Sequence, residues 1–302
     1  MARRSIALAA VACAALAAPA AASAEGADWY RGGWRTDGGE PHVYQFVIDG
    51  ARVRGVYCTQ CADGTTLAPI EGTFDERDGI AFTIRHLELD GSPRSEDRAT
   101  ARFVDGRLLV AGTRGGPGGA AFEHAAIKDP RGPTPGPYVQ SILPPNAPPV
   151  PVLPARAGNG GPPVAYVQPA GWRQLTADDV VGVWLGFGVG MDKQYFVIRR
   201  DGDRLFGLAC GRCDNPYTFG ALQNFAIEGD TLEFDIVHQD WGDGTVLPFN
   251  RHVVAHIAMN EMRMDARRPD QTGPGIVASL VGPIAIEATA GNVVGEQGAR
   301  AR

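Results

Sequence analysis

The stretch VYQFVIDGARVRGVYCTQCADGTTLAPIEGTFDERDGIAFTIRH, residues 43–86, returns 152 positions later as YFVIRRDGDRLFGLACGRCDNPYTFGALQNFAIEGDTLEFDIVH, residues 195–238. Twelve positions are identical and the alignment needs no gap. The identities include a Cys-x-x-Cys pair and a histidine in each copy. They are Cys58, Cys61 and His86 in the first copy, and Cys210, Cys213 and His238 in the second. Self-similarity over this length indicates a duplicated structural unit.

Within each copy, apolar and polar residues alternate with the period of a β-strand, and turn-forming pairs separate the alternating runs. Residues 80–86 and 108–111 have this pattern, and Asp49-Gly50 and Asp105-Gly106 lie between runs. Asp-Gly favours tight hairpins because both residues tolerate a positive φ. We therefore predict an all-β fold of two tandem antiparallel up-and-down barrels joined by a Pro-rich linker. The runs predict about seven or eight strands in each copy. We expect each meander to close into a barrel because closure removes exposed strand edges.

The composition along the chain predicts five segments. Arg3 and Arg4, an alanine-rich apolar run and a small-x-small site at Ala22-Ser23-Ala24 are together typical of an export signal. Thirteen prolines between residues 129 and 171 indicate an extended linker. The predicted segments are a signal peptide 1–24, a barrel repeat 25–128, the linker 129–171, a second barrel repeat 172–291 and a disordered tail 292–302. Two variants of the export signal stay open, a twin-arginine signal and a lipoprotein site at Cys13.

The repeat extends beyond the ungapped stretch with small shifts. Gly32-Gly33-Trp34 aligns with Gly182-Val183-Trp184 at an offset of 150. Arg98 aligns with Arg251 at an offset of 153. Ala121-Phe122-Glu123 aligns with Ala285-Ile286-Glu287 at an offset of 164, which predicts an insertion around residues 268–281 of the second copy.

A Gly-x-Trp on the predicted first strand, followed by an up-and-down meander, resembles the lipocalin and calycin group of barrels. The resemblance implies that Trp34 and Trp184 each close one barrel end. It implies that a basic residue from a late strand, Arg98 or Arg251, packs over the tryptophan. It also implies that the barrels bind small ligands, although a minority of such barrels are enzymes.

Histidines are the candidate residues for chemistry. His86 shares a strand face with Phe82 and Ile84, so its imidazole points into the barrel if those side chains do. An inward imidazole can bind a ligand, act as an acid or base, or simply bond a backbone carbonyl. The candidate catalytic residues are His86 and His238. The candidate ligand-binding residues are Trp34, His86, Trp184, His238 and Trp241, the last in an acidic loop of the second copy.

The four cysteines of the predicted mature chain form two pairs, each just after a strand. Positions i and i+3 of a straight strand face opposite ways, so each pair requires a turn. An even number of cysteines in an exported chain favours the local disulfides Cys58–Cys61 and Cys210–Cys213. Two alternatives stay open. All four thiolates could share one zinc if a twofold relation brings the loops together, or each pair could be redox-active.

Charge and hydropathy narrow the classes of partner. The net charge is −6 and is spread evenly, without the basic stripe of a nucleic-acid-binding protein. After the N-terminal segment, no apolar run is long enough to span a bilayer. We therefore predict a periplasmic or secreted, non-catalytic protein that binds a small molecule or an unknown protein partner and needs no cofactor. The alternatives are a lyase-, isomerase- or hydrolase-type enzyme with His86 or His238 as acid–base residue, and a structural module organised by zinc.

Overall fold

The computed structural model describes residues 26–128, 174–188, 191–211, 213, 216–237, 250–268 and 275–291. The predicted signal peptide, Pro-rich linker and C-terminal tail lie outside these residues. The described residues form two consecutive closed antiparallel barrels of eight strands each, which confirms the predicted fold class. No helix within the described ranges is long and apolar enough to cross a membrane.

The first barrel starts with one helical turn, α1, and continues as eight strands in chain order. Their bounds are α1 (Ala27–Tyr30), β1 (Gly32–Thr36), β2 (Val43–Asp49), β3 (Arg52–Cys58), β4 (Ala68–Asp75), β5 (Gly79–Leu87), β6 (Pro93–Val104), β7 (Arg107–Thr113) and β8 (Ala121–Ile127). A short 3₁₀ helix, η1 (Gly64–Thr66), connects β3 to β4. Each strand pairs with the next, and β8 closes the barrel by pairing with β1, where Ile127 faces Arg35.

The second barrel repeats this order. Its elements are α2 (Ala177–Val180), β9 (Gly182–Gly188), β10 (Met191–Asp201), β11 (Arg204–Cys210), η2 (Pro216–Thr218), β12 (Phe219–Glu228), β13 (Thr231–Val237), β14 (Asn250–Ala258), β15 (Glu261–Arg267) and β16 (Ile276–Ile284), followed by η3 (Ile286–Thr289). Here β16 returns to pair with β9, and Val281 faces Leu185.

The alternation of apolar and polar residues along each strand produces this architecture. Along β5, Ile80, Phe82 and Ile84 are buried in the first barrel core, whereas Ala81 between them faces solvent. The turn between β6 and β7 has φ values of 51° at Asp105 and 78° at Gly106. Positive φ at both central residues gives the tight hairpin that Asp-Gly predicts.

A tryptophan closes each barrel at the end covered by the helical turn. Trp34 donates its indole N–H to the carbonyl of Tyr30 at 2.9 Å, and Trp184 donates to the carbonyl of Val180 at 2.9 Å. Both indoles are fully buried. The two copies therefore share this hydrogen bond between the tryptophan and the helical turn.

The basic residue that packs over Trp34 is Lys128 rather than Arg98. The Lys128 ammonium lies 5.2 Å from the centre of the indole ring. Arg98 is on the outer face of β6, mostly exposed, and its guanidinium donates to Glu96. The prediction for Arg98 is wrong because side chains on a strand alternate, and Arg98 falls on the outward positions.

The pairing registers also correct two of the sequence alignments. Asp97 faces Ile84, and Arg251 faces Ile236, which is the equivalent of Ile84. Arg251 therefore corresponds to Asp97 and not to Arg98, so the predicted offset of 153 is one residue off.

The eighth strand was also misplaced by the alignment at offset 164. Leu108 faces Ala126, and its equivalent Met262 faces Leu280, so β8 corresponds to β16 at an offset of 154. Residues 276–281, predicted as an insertion, are the first part of β16. Ile286 lies beyond the barrel and packs between the two barrels.

The barrels pack side by side through their outer faces, around both Cys-x-x-Cys loops. One buried apolar cluster combines Cys58, Cys61, Ala62 and Leu67 of the first barrel with Val197, Leu208, Cys210, Cys213 and Phe219 of the second, among others. The buried guanidinium of Arg199 donates to the backbone carbonyls of Leu67, at 2.9 Å, and Glu88 of the first barrel. Arg85 donates to the buried carboxylate of Asp201 at 2.8 Å. These charge-assisted hydrogen bonds keep the polar part of the interface satisfied.

Candidate functional site

Five polar side chains gather at the end of the first barrel that lies away from α1. They come from different strands or strand ends and are His42, Tyr57, His86, Asp97 and His124, which we call the histidine end. Barrel closure brings them together, because β2, β3, β5, β6 and β8 all place inward-facing residues at this level.

His86 is held in place by a carboxylate on the neighbouring strand. Its Nε2 is 2.9 Å from Oδ2 of Asp97. The other carboxylate oxygen of Asp97 accepts the backbone N–H of Gly115 at 2.9 Å. Both side chains are mostly buried, with 19% of His86 and 13% of Asp97 exposed. An imidazole that donates from Nε2 to a carboxylate keeps Nδ1 available for a second partner.

A second polar unit is formed by Tyr57, His42 and His124. Nδ1 of His42 and the hydroxyl of Tyr57 share a hydrogen bond of 2.7 Å. The rings of His42 and His124 are 4.0 Å apart between centroids. Burial, with a smaller contribution from His124, lowers the pKa of His42 to about 4. Burial likewise lowers the pKa of His124 and raises the pKa of Tyr57. At neutral pH, this unit is therefore uncharged.

The two units meet at a cleft on the molecular surface. Its volume is about 250 Å³, and its lining residues are Tyr57, Thr59, Thr65, Thr66, Leu67, Ala68, His86, Leu87 and Arg94. The ring of Tyr57 meets the ring of His86 edge-on, with 5.8 Å between centroids. Arg94 is exposed and makes no hydrogen bond or ion pair with the described residues. The buried guanidinium of Arg199 is nearby, and burial together with the charge of Arg94 lowers the pKa of Arg199. The cleft therefore combines polar lining side chains with one exposed cation, Arg94.

The second barrel lacks this arrangement at the equivalent positions. Register equivalence places Ala209 at the position of Tyr57 and Arg251 at the position of Asp97. Ala278 occupies the position of His124. The candidate site is thus a property of the first copy, although the histidine His86 is repeated as His238.

The remaining predicted site residues divide into two groups. His238 and Trp241 lie outside the described residues. Trp34 and Trp184 lie at the covered barrel ends and do not line the cleft. Ligand contact by these four residues stays a prediction.

Each Cys-x-x-Cys pair lies at disulfide distance. The Cα atoms are 5.2 Å apart in Cys58–Cys61 and 5.1 Å apart in Cys210–Cys213. Such spacing is typical of disulfides. Within the ranges that the structure describes, no group of three or more His, Cys, Asp or Glu side chains is arranged to hold a metal ion.

The sequence pattern did not identify Asp97, His42, His124 or Arg94 as site residues. His42 and His124 have no histidine at the equivalent positions of the second copy, so a comparison of the two repeats does not point to them. Asp97 is a charged residue in a strand rich in charge, and eleven positions separate it from His86. One feature of the sequence does indicate Asp97 as an inward residue. It lies two and four positions before Ala99 and Ala101, which are buried, so all three share one face of the strand.

No protein-family model matches the chain, and no curated protein matches it. Among solved structures, a protein of unknown function of the DUF3598 family from Nostoc punctiforme is 12% identical, and the match covers 83% of this chain and 92% of that chain with a TM-score of 0.20. At a TM-score of 0.20, this match does not show that the two proteins share a fold.

Proposed function

We propose that this protein is exported and that its first barrel binds a small molecule with an anionic group without altering it chemically. The observation that carries the proposal is the convergence of Arg94, His86 and Tyr57 on the cleft at the histidine end. Arg94 supplies a positive charge with no competing partner among the described residues. The Nδ1 of His86, the hydroxyl of Tyr57 and the side chain of Thr59 supply polar contacts that orient a ligand.

The size of the cleft limits the ligand. Small-molecule sites usually enclose about 300–1,000 Å³, so a cleft of about 250 Å³ suits a compact molecule. Aromatic side chains, among them Tyr44, Phe46 and Phe82, fill the interior of the first barrel. The ligand is therefore expected at the barrel margin and not deep inside.

Export is supported by the N-terminal pattern and by the cysteine pairs. The alanine-rich segment ending at Ala24 has the features of a cleavable signal. Both cysteine pairs lie at disulfide distance, and disulfides persist mainly in oxidising compartments outside the cytoplasm. A periplasmic or secreted location fits both features.

Calorimetric titration of the mature chain tests the proposal. The probes are inorganic phosphate, acetate and citrate, with glycerol as the neutral comparison. We expect at least one anion to bind while glycerol does not, and Arg94→Gln to weaken that binding about tenfold or more. Arg98→Gln removes an exposed arginine from the outer face of the same strand and serves as the matched control. Absence of binding by all three anions, or full affinity in Arg94→Gln, would contradict the proposal.

A second candidate function is acid–base catalysis by His86. The observation that favours it is the hydrogen bond between His86 and Asp97, because a carboxylate that orients an imidazole is a recurrent feature of general bases. Hydrolysis of p-nitrophenyl acetate provides a probe reaction. Catalysis predicts that Asp97→Asn and His86→Asn each lower kcat about a hundredfold with KM little changed. Equal rates in the wild type and both variants would leave only the binding role.

A further inference from the structure

A groove of about 690 Å³ runs between the two barrels, apart from the histidine end. The first barrel contributes residues of β3 and β4, and the second contributes residues of α2 and β10 to β12. The polar lining residues that matter here are Arg54, Arg204, Asp201, Asp203, Gln223 and Asn224. Both barrels are required to form this space.

Arg54 lines the groove, and its hydrogen-bond donors are not all paired within the described residues. Its guanidinium makes one long hydrogen bond, from Nη1 to Oδ1 of Asn224 at 3.3 Å. Its Nε is buried and has no partner among the described residues. Burial, followed by the charges of Arg52 and Arg204, lowers the pKa of Arg54, against the smaller opposing effects of Glu71 and Asp49. Desolvation and the two neighbouring arginines therefore outweigh the nearby carboxylates at this guanidinium.

The nearby carboxylates are mostly engaged elsewhere. Asp201 is buried and accepts from Arg85 at 2.8 Å and from Arg204 at 3.1 Å. Glu71 forms ion pairs with Arg204 and, at 3.5 Å, with Arg85. Asp203, in the turn between β10 and β11, is a groove carboxylate on the opposite barrel from Arg54. Charge complementarity thus favours an anionic group beside Arg54.

The rest of the groove is apolar, and a strand irregularity shapes it. The apolar lining residues include Pro69, Phe206, Leu222, Phe225 and Ile227. The pairing of β12 with β13 shifts between Gln223 and Ala226, and Asn224 has a φ of 56°. In the first barrel, β4 keeps continuous register with β5 from Ile70 to Asp75. A bulge redirects side chains and is frequent beside binding sites, and this one belongs to the second copy alone.

We propose that the groove binds an amphipathic carboxylate, with the carboxylate on Arg54 and the apolar chain along Phe225 and Ile227. The space is within the usual range for a small-molecule site. The guanidinium offers paired N–H donors to a carboxylate. This second site differs from the cleft in both its residues and the chemistry of its ligand.

Titration with decanoate below its micelle concentration tests the proposal on the intact two-barrel chain, with decanol as the uncharged comparison. We expect decanoate to bind at least about tenfold more tightly than decanol, and Arg54→Gln to remove this difference. Arg98→Gln removes an exposed arginine of the first barrel that does not line the groove, and it leaves the preference intact. Phe225→Ser weakens both ligands, since it removes apolar contact and no charge.

Three results would overturn the proposal. The first is equal affinity for decanoate and decanol in the wild type, and the second is an unchanged preference in Arg54→Gln. The third is co-sedimentation with phosphatidylglycerol vesicles that Arg54→Gln abolishes while decanoate fails to bind, which would assign the arginine to a lipid surface. Binding of phosphate, acetate or citrate at the cleft is expected to be the same in Arg54→Gln, so failure at one site is distinguishable from failure at the other.

Discussion

At the scale of single residues, burial decides the chemistry of the histidine end. His42 is only 6% exposed and lies between the hydroxyl of Tyr57 and the ring of His124. Charging a buried imidazole costs hydration energy, so the pKa of His42 falls to about 4. His42 is therefore neutral over the whole physiological pH range, and its Nδ1 shares a hydrogen bond with the hydroxyl of Tyr57.

The lowered pKa of His42 predicts a loss of stability in acid. Between pH 6.5 and pH 4, the unfolded chain binds a proton at His42 that the folded chain does not. Stability from this group is therefore complete above pH 6.5 and falls as the pH drops toward 4, by about 1–3 kcal/mol. Urea unfolding at pH 7 and pH 4 measures it in the wild type and in His42→Gln. The variant is expected to lose this part of the pH dependence, and identical pH slopes in both proteins would contradict the assignment.

The cysteine pairs carry the second prediction at this scale. Each pair lies at disulfide distance within its own loop. We expect thiol titration of the denatured, unreduced mature protein to detect no free thiol, and elemental analysis to detect no stoichiometric zinc. After reduction, the same titration should detect all four thiols, which controls for reagent access. Four thiols without reduction, together with bound zinc, would replace the disulfides by the shared metal site.

At the scale of elements, turn chemistry determines where each strand ends. Gly106 has a φ of 78° in the hairpin between β6 and β7, and a Cβ atom added there would meet nothing within 4 Å. Any cost of a side chain at this position is therefore backbone strain and not a clash. In the equivalent turn of the second barrel, Met259 at the first position has a φ of 51°, as Asp105 does, and Asn260 takes the place of Gly106.

Gly106→Ala separates strain from packing. We expect it to lower the free energy of unfolding by about 1–2 kcal/mol, because L-residues disfavour the left-handed region. Gly211→Ala is the matched control: Gly211 has no positive φ, and a Cβ there makes only an ordinary contact of 3.7 Å with Thr218. Denaturant unfolding measures both variants, and an equal cost for the two would count against the strain argument.

At the scale of the whole molecule, the shared interface makes the two barrels one structural unit. Val197 is fully buried on the outer face of β10, in the cluster that contains all four paired cysteines. Arg199, on the same strand, is 2% exposed and bonds to two carbonyls of the first barrel. Removing the first barrel would expose this cluster and leave the buried guanidinium of Arg199 without these two acceptors.

Val197→Lys is predicted to uncouple the barrels. It places an unpaired charge in the buried interface, next to Arg199, which is strongly unfavourable. Differential scanning calorimetry should show one cooperative transition in the wild type and two in the variant. Val277→Lys, at a position that is 57% exposed on β16, should behave like the wild type. A single unchanged transition in Val197→Lys would show that the interface does not couple the barrels.

Most of the fold could be read from the sequence, and the candidate site only in part. The alternation of Phe82, Ile84 and His86 correctly predicts an inward imidazole, because side-chain direction on a strand is a local property. The eighth strand of the second barrel was predicted at the wrong place. A few identical residues around Ile286 suggested an alignment that the pairing register of the folded chain does not support.

The sequence by itself determined the duplication, the strands and the hairpin turns, and it favoured local pairing within each Cys-x-x-Cys. Strands and turns follow from residues close along the chain. Tertiary structure alone decided that Asp97 holds His86, that the ring of His42 contacts the ring of His124 from another strand, and that both cysteine loops meet in one interface. Barrel closure and barrel docking bring distant positions together, and their registers depend on the packing of the whole molecule. For that reason the cleft and the inter-barrel groove became visible only in the folded chain.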